Sequence, residues 1–145
     1  MRVRLILATS AEVREGMLFM LGGGFTQIGP QPQPFAITGI IEVDWEETNR
    51  RRKLEVLLED EDGQAVMVPT PVGEQPFKIA TEFDVGRPPG ESPGISFNMP
   101  IAIMVAPLPW IPGKRYVVKF IIDGTTMDQV AFRVRPQQQS SPSTA

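Results

Sequence analysis

Neither cysteine nor histidine occurs anywhere in this chain. Their absence excludes disulfides, thiolate nucleophiles, His/Cys zinc sites and every histidine-dependent acid–base or nucleophilic scheme. Long apolar runs are missing as well, and nothing approaches the ~20 consecutive apolar residues of a membrane-spanning helix. Met1–Ala8 has only the outline of a signal peptide. Its apolar stretch is short, charged Glu12, Arg14 and Glu15 follow at once, and a first strand is the better reading. Basic excess is lacking too. The net charge of −3 argues against nucleic acid as the main partner, because phosphate binding needs a basic surface. These absences point to a chain kept in the bacterial cytoplasm or built into a particle assembled there, with no membrane contact.

Proline and glycine are abundant, at 15 and 13 of 145 residues. They recur between apolar runs, which suits many short strands joined by turns, since both residues break helices and set turn geometry. A hydrophobic fraction of 41% with 21% charged residues is ordinary for a single globular domain.

Alternation with period two dominates and predicts half-buried strands. Val3, Leu5 and Leu7 share one face, as do Leu54, Val56 and Leu58 against Glu55, Leu57 and Glu59. Phe77, Ile79, Thr81, Phe83 and Val85 form another such face, followed by Tyr116, Val118, Phe120 and Ile122, and by Val130, Phe132 and Val134. Phe35, Ile37, Ile41 and Val43 align around Gly39, which marks a bulge or a close approach. Pro100 makes Ile95–Val105 either an edge strand or two half-strands. Asp62-Gly63 and Asp123-Gly124 signal hairpins, Pro112-Gly113 introduces a strand, and Gly22-Gly23-Gly24 predicts a bend within a second strand over 17–28.

Helix is scarce. Asp44-Trp45-Glu46-Glu47 has capping-box spacing for a single turn, and Ser10–Gly16 has room for another. The expected fold is therefore all-β. It is a single β-sandwich over residues 1–135, immunoglobulin-like in general shape, with about eight or nine short antiparallel strands. Residues 29–34 read as an extended connector and residues 86–94 as a surface loop. Residues 136–145, rich in Gln, Ser and Pro, read as a flexible tail.

Chemistry-bearing motifs are few. Phosphate-binding loops, dinucleotide fingerprints and nucleophile elbows are missing, so no enzyme activity and no cofactor are implied. Glu46 and Glu47 are adjacent and point apart, unlike a glycosidase pair. Within Glu59-Asp60-Glu61-Asp62, the carboxylates of Asp60 and Asp62 could serve Ca²⁺ only with further ligands from a second loop; a solvated turn is the simpler reading. Arg50-Arg51-Arg52-Lys53 is a basic run that could meet phosphate or an acidic neighbour, or simply lead into a strand. Met17, Phe19 and Met20 crowd around the triple glycine. With Met99, Pro107, Pro109 and Trp110 they are the best candidates as a group for a contact surface, although each taken singly reads more readily as core.

The order of features resembles a functionally unassigned group of short bacterial and phage proteins. The resemblance is carried by Leu21-Gly22-Gly23-Gly24-Phe25, by the segment Ile41 to Asn49 around Trp45, and by the Glu59–Gly63 hairpin. It continues through Pro112, Gly113, Tyr116, Asp123, Gly124, Phe132 and Val134. It implies a fold more than an activity. Its reach into phages suggests a non-enzymatic structural protein of a virion, decorating a capsid or associated with a tail, whose partners are proteins or further copies of itself. The alternatives are a free cytosolic module binding a protein or small ligand, and a Ca²⁺-dependent binding domain.

Overall fold

The computed structural model describes residues 1–137, so the expected tail over 136–145 lies outside the described residues except at its first two positions. Two sheets, antiparallel except for one short parallel pair, face each other. The first has the order β1 (Arg2–Ala8), β5 (Phe35–Val43), β10 (Phe97–Val105). The second runs β4 (Gln27–Ile28), β12 (Thr125–Val134), β11 (Arg115–Ile122), β6 (Arg52–Asp60), β9 (Lys78–Phe83). The chain changes sheet between β1 and β4, β4 and β5, β5 and β6, β9 and β10, and β10 and β11, the crossing pattern of an immunoglobulin-like sandwich. The sandwich is not closed into a barrel. Two hairpins form separate two-stranded sheets: β2 (Ser10–Arg14) with β3 (Met17–Leu21), and β7 (Met67–Thr70) with β8 (Gly73–Pro76).

The expected alternation is what fills the interior. Leu7, Ile37, Ile41, Val56, Leu58, Val118, Phe120 and Val134 are all fully buried between the sheets. Each such side chain contributes about 1.5–3 kcal/mol relative to exposure. At one end Phe25, Phe35, Trp110, Tyr116 and Phe132 form an aromatic plug. Trp110 lies 4.8 Å from Tyr116 and 5.4 Å edge-on from Phe132, centroid to centroid. The Tyr116 hydroxyl accepts the Ile111 N–H at 3.0 Å, forming a tyrosine corner that holds the β10–β11 connection against the strand it enters.

Several local expectations need correction. Ser10–Gly16 is no helical turn: it is strand β2 and a reversal at Glu15-Gly16, where both residues take positive φ (51° and 72°). The strand expected over 17–28 is broken by the glycines into β3 and β4, and β4 pairs with β12 in parallel. A single 3-10 turn does form at Trp45–Glu47, but without a side-chain cap, because Asp44 faces the Met1 amino group at 3.5 Å instead. Of the two readings, the bulge fails and the close approach holds at Gly39. The pairing runs straight through it, and its hydrogen faces Arg4 O, Leu5 and Phe120 so closely that a Cβ would sit 3.2–3.3 Å from all of them. β10 is an edge strand, as Pro100 allowed, and is continuous rather than two half-strands. No helix among the described residues is long and apolar enough to cross a membrane.

Candidate functional site: an exposed apolar hairpin

The β2–β3 hairpin leaves the first sheet just after β1. Two backbone hydrogen bonds tie its base, Thr9 N–H to Leu21 O at 3.0 Å and Gly24 N–H to Leu7 O at 2.7 Å. Gly22 is required there, since a Cβ would collide with Thr9 Oγ1. From that stem β2 passes against β5 and β10. Ala8, Ala36 and Thr38 lie beneath it on the outer face of the first sheet, and all three are fully buried. Their small size allows the ribbon to lie close, and the Thr38 hydroxyl is satisfied by Ile6 O at 2.5 Å.

Register decides what the hairpin shows to solvent. Cross-strand partners point to the same side. Ala11 pairs with Met20 and Val13 with Leu18; Ala11, Leu18 and Met20 on this side are half-buried, and Val13, near the tip, is 43% exposed. On the other side Ser10, Glu12 and Arg14 pair with Leu21, Phe19 and Met17. Met17, Phe19 and Leu21 are 54%, 48% and 73% exposed, a row of large apolar side chains in water. Glu12 and Arg14 flank the row and pair with each other at 2.7 Å. A shallow concavity of about 290 Å³ lies along Ser10, Ala11, Glu12, Phe19, Met20 and Leu21.

The seven candidate contact residues therefore separate. Met17 and Phe19 face outward, and Met20, on the opposite side, anchors the ribbon. Met99 pairs with Ile41 and packs partly buried against the core. Trp110 is a core residue, 6% exposed within the aromatic plug. Pro107 and Pro109 are exposed and follow Val105, which pairs with Phe35, so they leave the first sheet at the end where the hairpin stem begins. Leu21 was missed by sequence reasoning. The available signal was Met17-Leu18-Phe19-Met20-Leu21 itself, because a strand apolar at every position must either be buried on both faces or show one to solvent.

The acidic turn and the basic run are occupied by structural roles. Asp60 Oδ1 accepts the N–H groups of Asp62 (2.9 Å) and Gln64 (3.0 Å), and Oδ2 meets Lys114 Nζ at 3.2 Å. The Gln64 amide, followed by Lys114, holds the Asp60 carboxyl below its ordinary value, and Asp60 in turn holds the Lys114 ammonium above its own. Asp123 accepts the Lys53 N–H at 3.0 Å and Arg52 Nη1 at 3.2 Å; those two contacts, the amide first, lower its pKa. Asp128 bonds to Leu5 N. Asp123 and Asp128 thus serve other elements and are not available to Asp60 and Asp62, and the described residues contain no group of three or more His, Cys, Asp or Glu placed to hold a metal. Arg51 pairs with Glu82 at 2.9 Å and Lys53 with Glu55 at 3.6 Å, leaving Arg50 as the one member of the basic run without a carboxylate partner among the described residues.

Residues 4–135 match a family described as a family of unknown function (DUF6941). The chain belongs to that family. The match spans both sheets and both hairpins, so the β2–β3 ribbon lies within the segment that defines the family. No curated protein and no solved structure matches the chain.

Proposed function

We propose that this protein is a non-enzymatic structural or interaction module, and that the outer side of the β2–β3 hairpin is its contact surface. One observation carries the reading: Met17, Phe19 and Leu21 are held in water on a ribbon whose opposite side is anchored through Ala11, Leu18 and Met20. Leaving such side chains exposed forgoes the burial that stabilises the rest of the fold, and contiguous apolar surface of this kind marks interaction sites. The chain offers little for catalysis in support of the alternative. It has no histidine or cysteine, and Asp60, Asp123, Glu55 and Glu59 are engaged in turns or ion pairs.

The finer reading is a component of a phage particle, decorating the capsid or associated with the tail. It rests on the resemblance to phage proteins together with the contact surface. The rival is a free cytosolic module using the same hairpin.

Sedimentation of a cell extract separates them. Wild type and a Met17→Ser/Phe19→Ser/Leu21→Ser variant are compared, with circular dichroism verifying that both fold. The proposal expects wild type in a high-mass fraction and the variant at the position of a free 16.0 kDa chain. Co-migration with DNA-filled particles supports the virion reading, and a small complex supports the cytosolic one. Identical sedimentation of wild type and variant would remove the hairpin from consideration.

A further inference from the structure

The outer face of the second sheet is laced with ion pairs, with one exception. Lys119 meets Glu59 at 3.1 Å, Lys78 meets Glu55 at 3.0 Å and Lys53 meets Glu55 at 3.6 Å, while at the end of β6, on the other face, Arg52 meets Asp123 at 3.2 Å. Among the described residues, the only strand cations of this sheet without a carboxylate within ion-pair distance are Arg115 on β11 and Arg133 on β12. These two are direct cross-strand partners. Like charges placed opposite each other destabilise a sheet, so the fold gains nothing from this pairing. On the far side of Arg133 the same rung continues to Gln27 of β4, and Thr26, Gln27, Arg115, Ala131, Phe132 and Arg133 line an open concavity of about 320 Å³. Glu59, the β6 carboxylate on the same face opposite Val117, is held by Lys119, and Asp60, opposite Tyr116, by Lys114.

We propose that Arg115 and Arg133, with Gln27 beside them, form a docking site for the carboxylates of an acidic segment of a partner protein. A guanidinium presents a planar fork of donors that matches a carboxylate, and two of them on one rung hold two acceptors in a fixed register. Two features favour a protein segment over a free anion. The concavity is open along the sheet, and the next rung on the same face, Val117 opposite Ala131, is half-buried and apolar. A peptide lying along the strands places an acidic residue on the arginines and an apolar one on that rung, whereas a free ion uses only the first. The site lies on the sheet opposite the one the hairpin covers, so it stands or falls separately from the hairpin reading.

The test uses the whole chain, ¹⁵N-labelled, titrated at constant ionic strength with the capped peptide Asp-Leu-Asp-Leu-Asp. Saturable shifts are expected at Gln27, Arg115, Val117, Ala131 and Arg133. Arg115→Gln/Arg133→Gln should weaken binding about tenfold or more, and the Asn-Leu-Asn-Leu-Asn peptide should leave the spectrum unchanged. Without peptide, Arg133→Gln should raise the melting temperature by removing the like-charge contact. Shifts that grow linearly, an unchanged affinity in the double variant, a lower melting temperature for Arg133→Gln, or inorganic phosphate saturating the site as tightly as the peptide would each overturn the proposal.

Discussion

The Leu5 N–H donates to Asp128 Oδ2 at 2.9 Å, joining residues 123 positions apart and stitching the edge of the first sheet to the second. The contact depends on an irregularity. The β11–β12 register shifts between Phe120 and Ile121, leaving Met127 as the extra residue, and Asp128 follows immediately. Bulges re-aim side chains, and this one lies beside an edge strand whose free N–H groups would otherwise invite pairing with another chain.

Asp128→Ala should destabilise the protein by about 1–2 kcal/mol, because it leaves that N–H without its acceptor. Asp128→Asn, which keeps a carbonyl in place, should cost less than half as much. Urea denaturation gives the ranking, and amide exchange at Leu5 locates the effect. Equal stability of all three proteins would show that water replaces the carboxylate at no cost.

The acid limb of stability should be set by Asp60, Asp123 and Glu55. All three have folded pKa values lowered from 3.8 for Asp and 4.5 for Glu, the first two mainly by backbone amides and Glu55 mainly by Lys78. A lowered folded value means that the stabilisation is fully present above the unfolded value and is lost as pH falls through the folded one. Melting temperature should therefore hold from neutral pH down to about 5 and decline below 4. Asp60→Asn should flatten that decline while lowering the plateau. Lys114 gives the opposite sign, since its folded value is raised from 10.5 and its contribution is lost only as pH rises beyond that. An acid limb identical in Asp60→Asn would remove the turn as its origin.

Glu15 occupies a left-handed position, φ 51°, next to Gly16. Asparagine tolerates that conformation far better than glutamate, and Asn-Gly is the favoured pair for such a turn. Glu15→Asn should stabilise the protein by about 0.5–1 kcal/mol and sharpen the β2–β3 amide protections. A loss of stability instead would mean that the glutamate makes a compensating contact.

The indole Nε1 of Trp110 is buried with no hydrogen-bond partner among the described residues. An orphaned donor costs about 1–3 kcal/mol, so part of what the ring contributes by burial is offset. Trp110→Phe, which removes the donor and keeps most of the apolar volume, should cost under about 1.5 kcal/mol. Trp110→Ala should cost about 3–5 kcal/mol by opening a cavity in the plug. Thermal or urea unfolding distinguishes the two. A Phe variant as unstable as the Ala variant would show that Nε1 is satisfied in solution.

The sandwich was legible because its core strands obey one rule, alternation, over enough residues to outweigh local exceptions. Val3 to Leu7, Leu54 to Leu58 and Tyr116 to Ile122 need no tertiary information. The hairpin was not legible for two reasons. Glu-Gly is a poor turn signal, so the reversal at Glu15 is imposed by its surroundings, and an all-apolar strand carries no period to say which side faces out. Charge roles were hidden too. Asp60 and Asp128 look equally available in the sequence, yet one closes a turn through its own neighbours and the other reaches a strand 123 residues away. The Arg115–Arg133 pair appears only once the register of two distant strands is known.

The two hydrogen bonds that clamp Thr9 to Leu21 and Gly24 to Leu7 make the hairpin an insertion with a closed neck. What happens beyond the neck need not be felt at the sheets, since lengthening a closed loop adds only about 0.6 kcal/mol per doubling. Scaffold and contact surface can therefore diverge at different rates. Relatives should keep the glycine at the neck and the small residues beneath the ribbon while the row at 17, 19 and 21 changes to suit each partner, and a hairpin grafted from one member onto another should carry its binding preference with it.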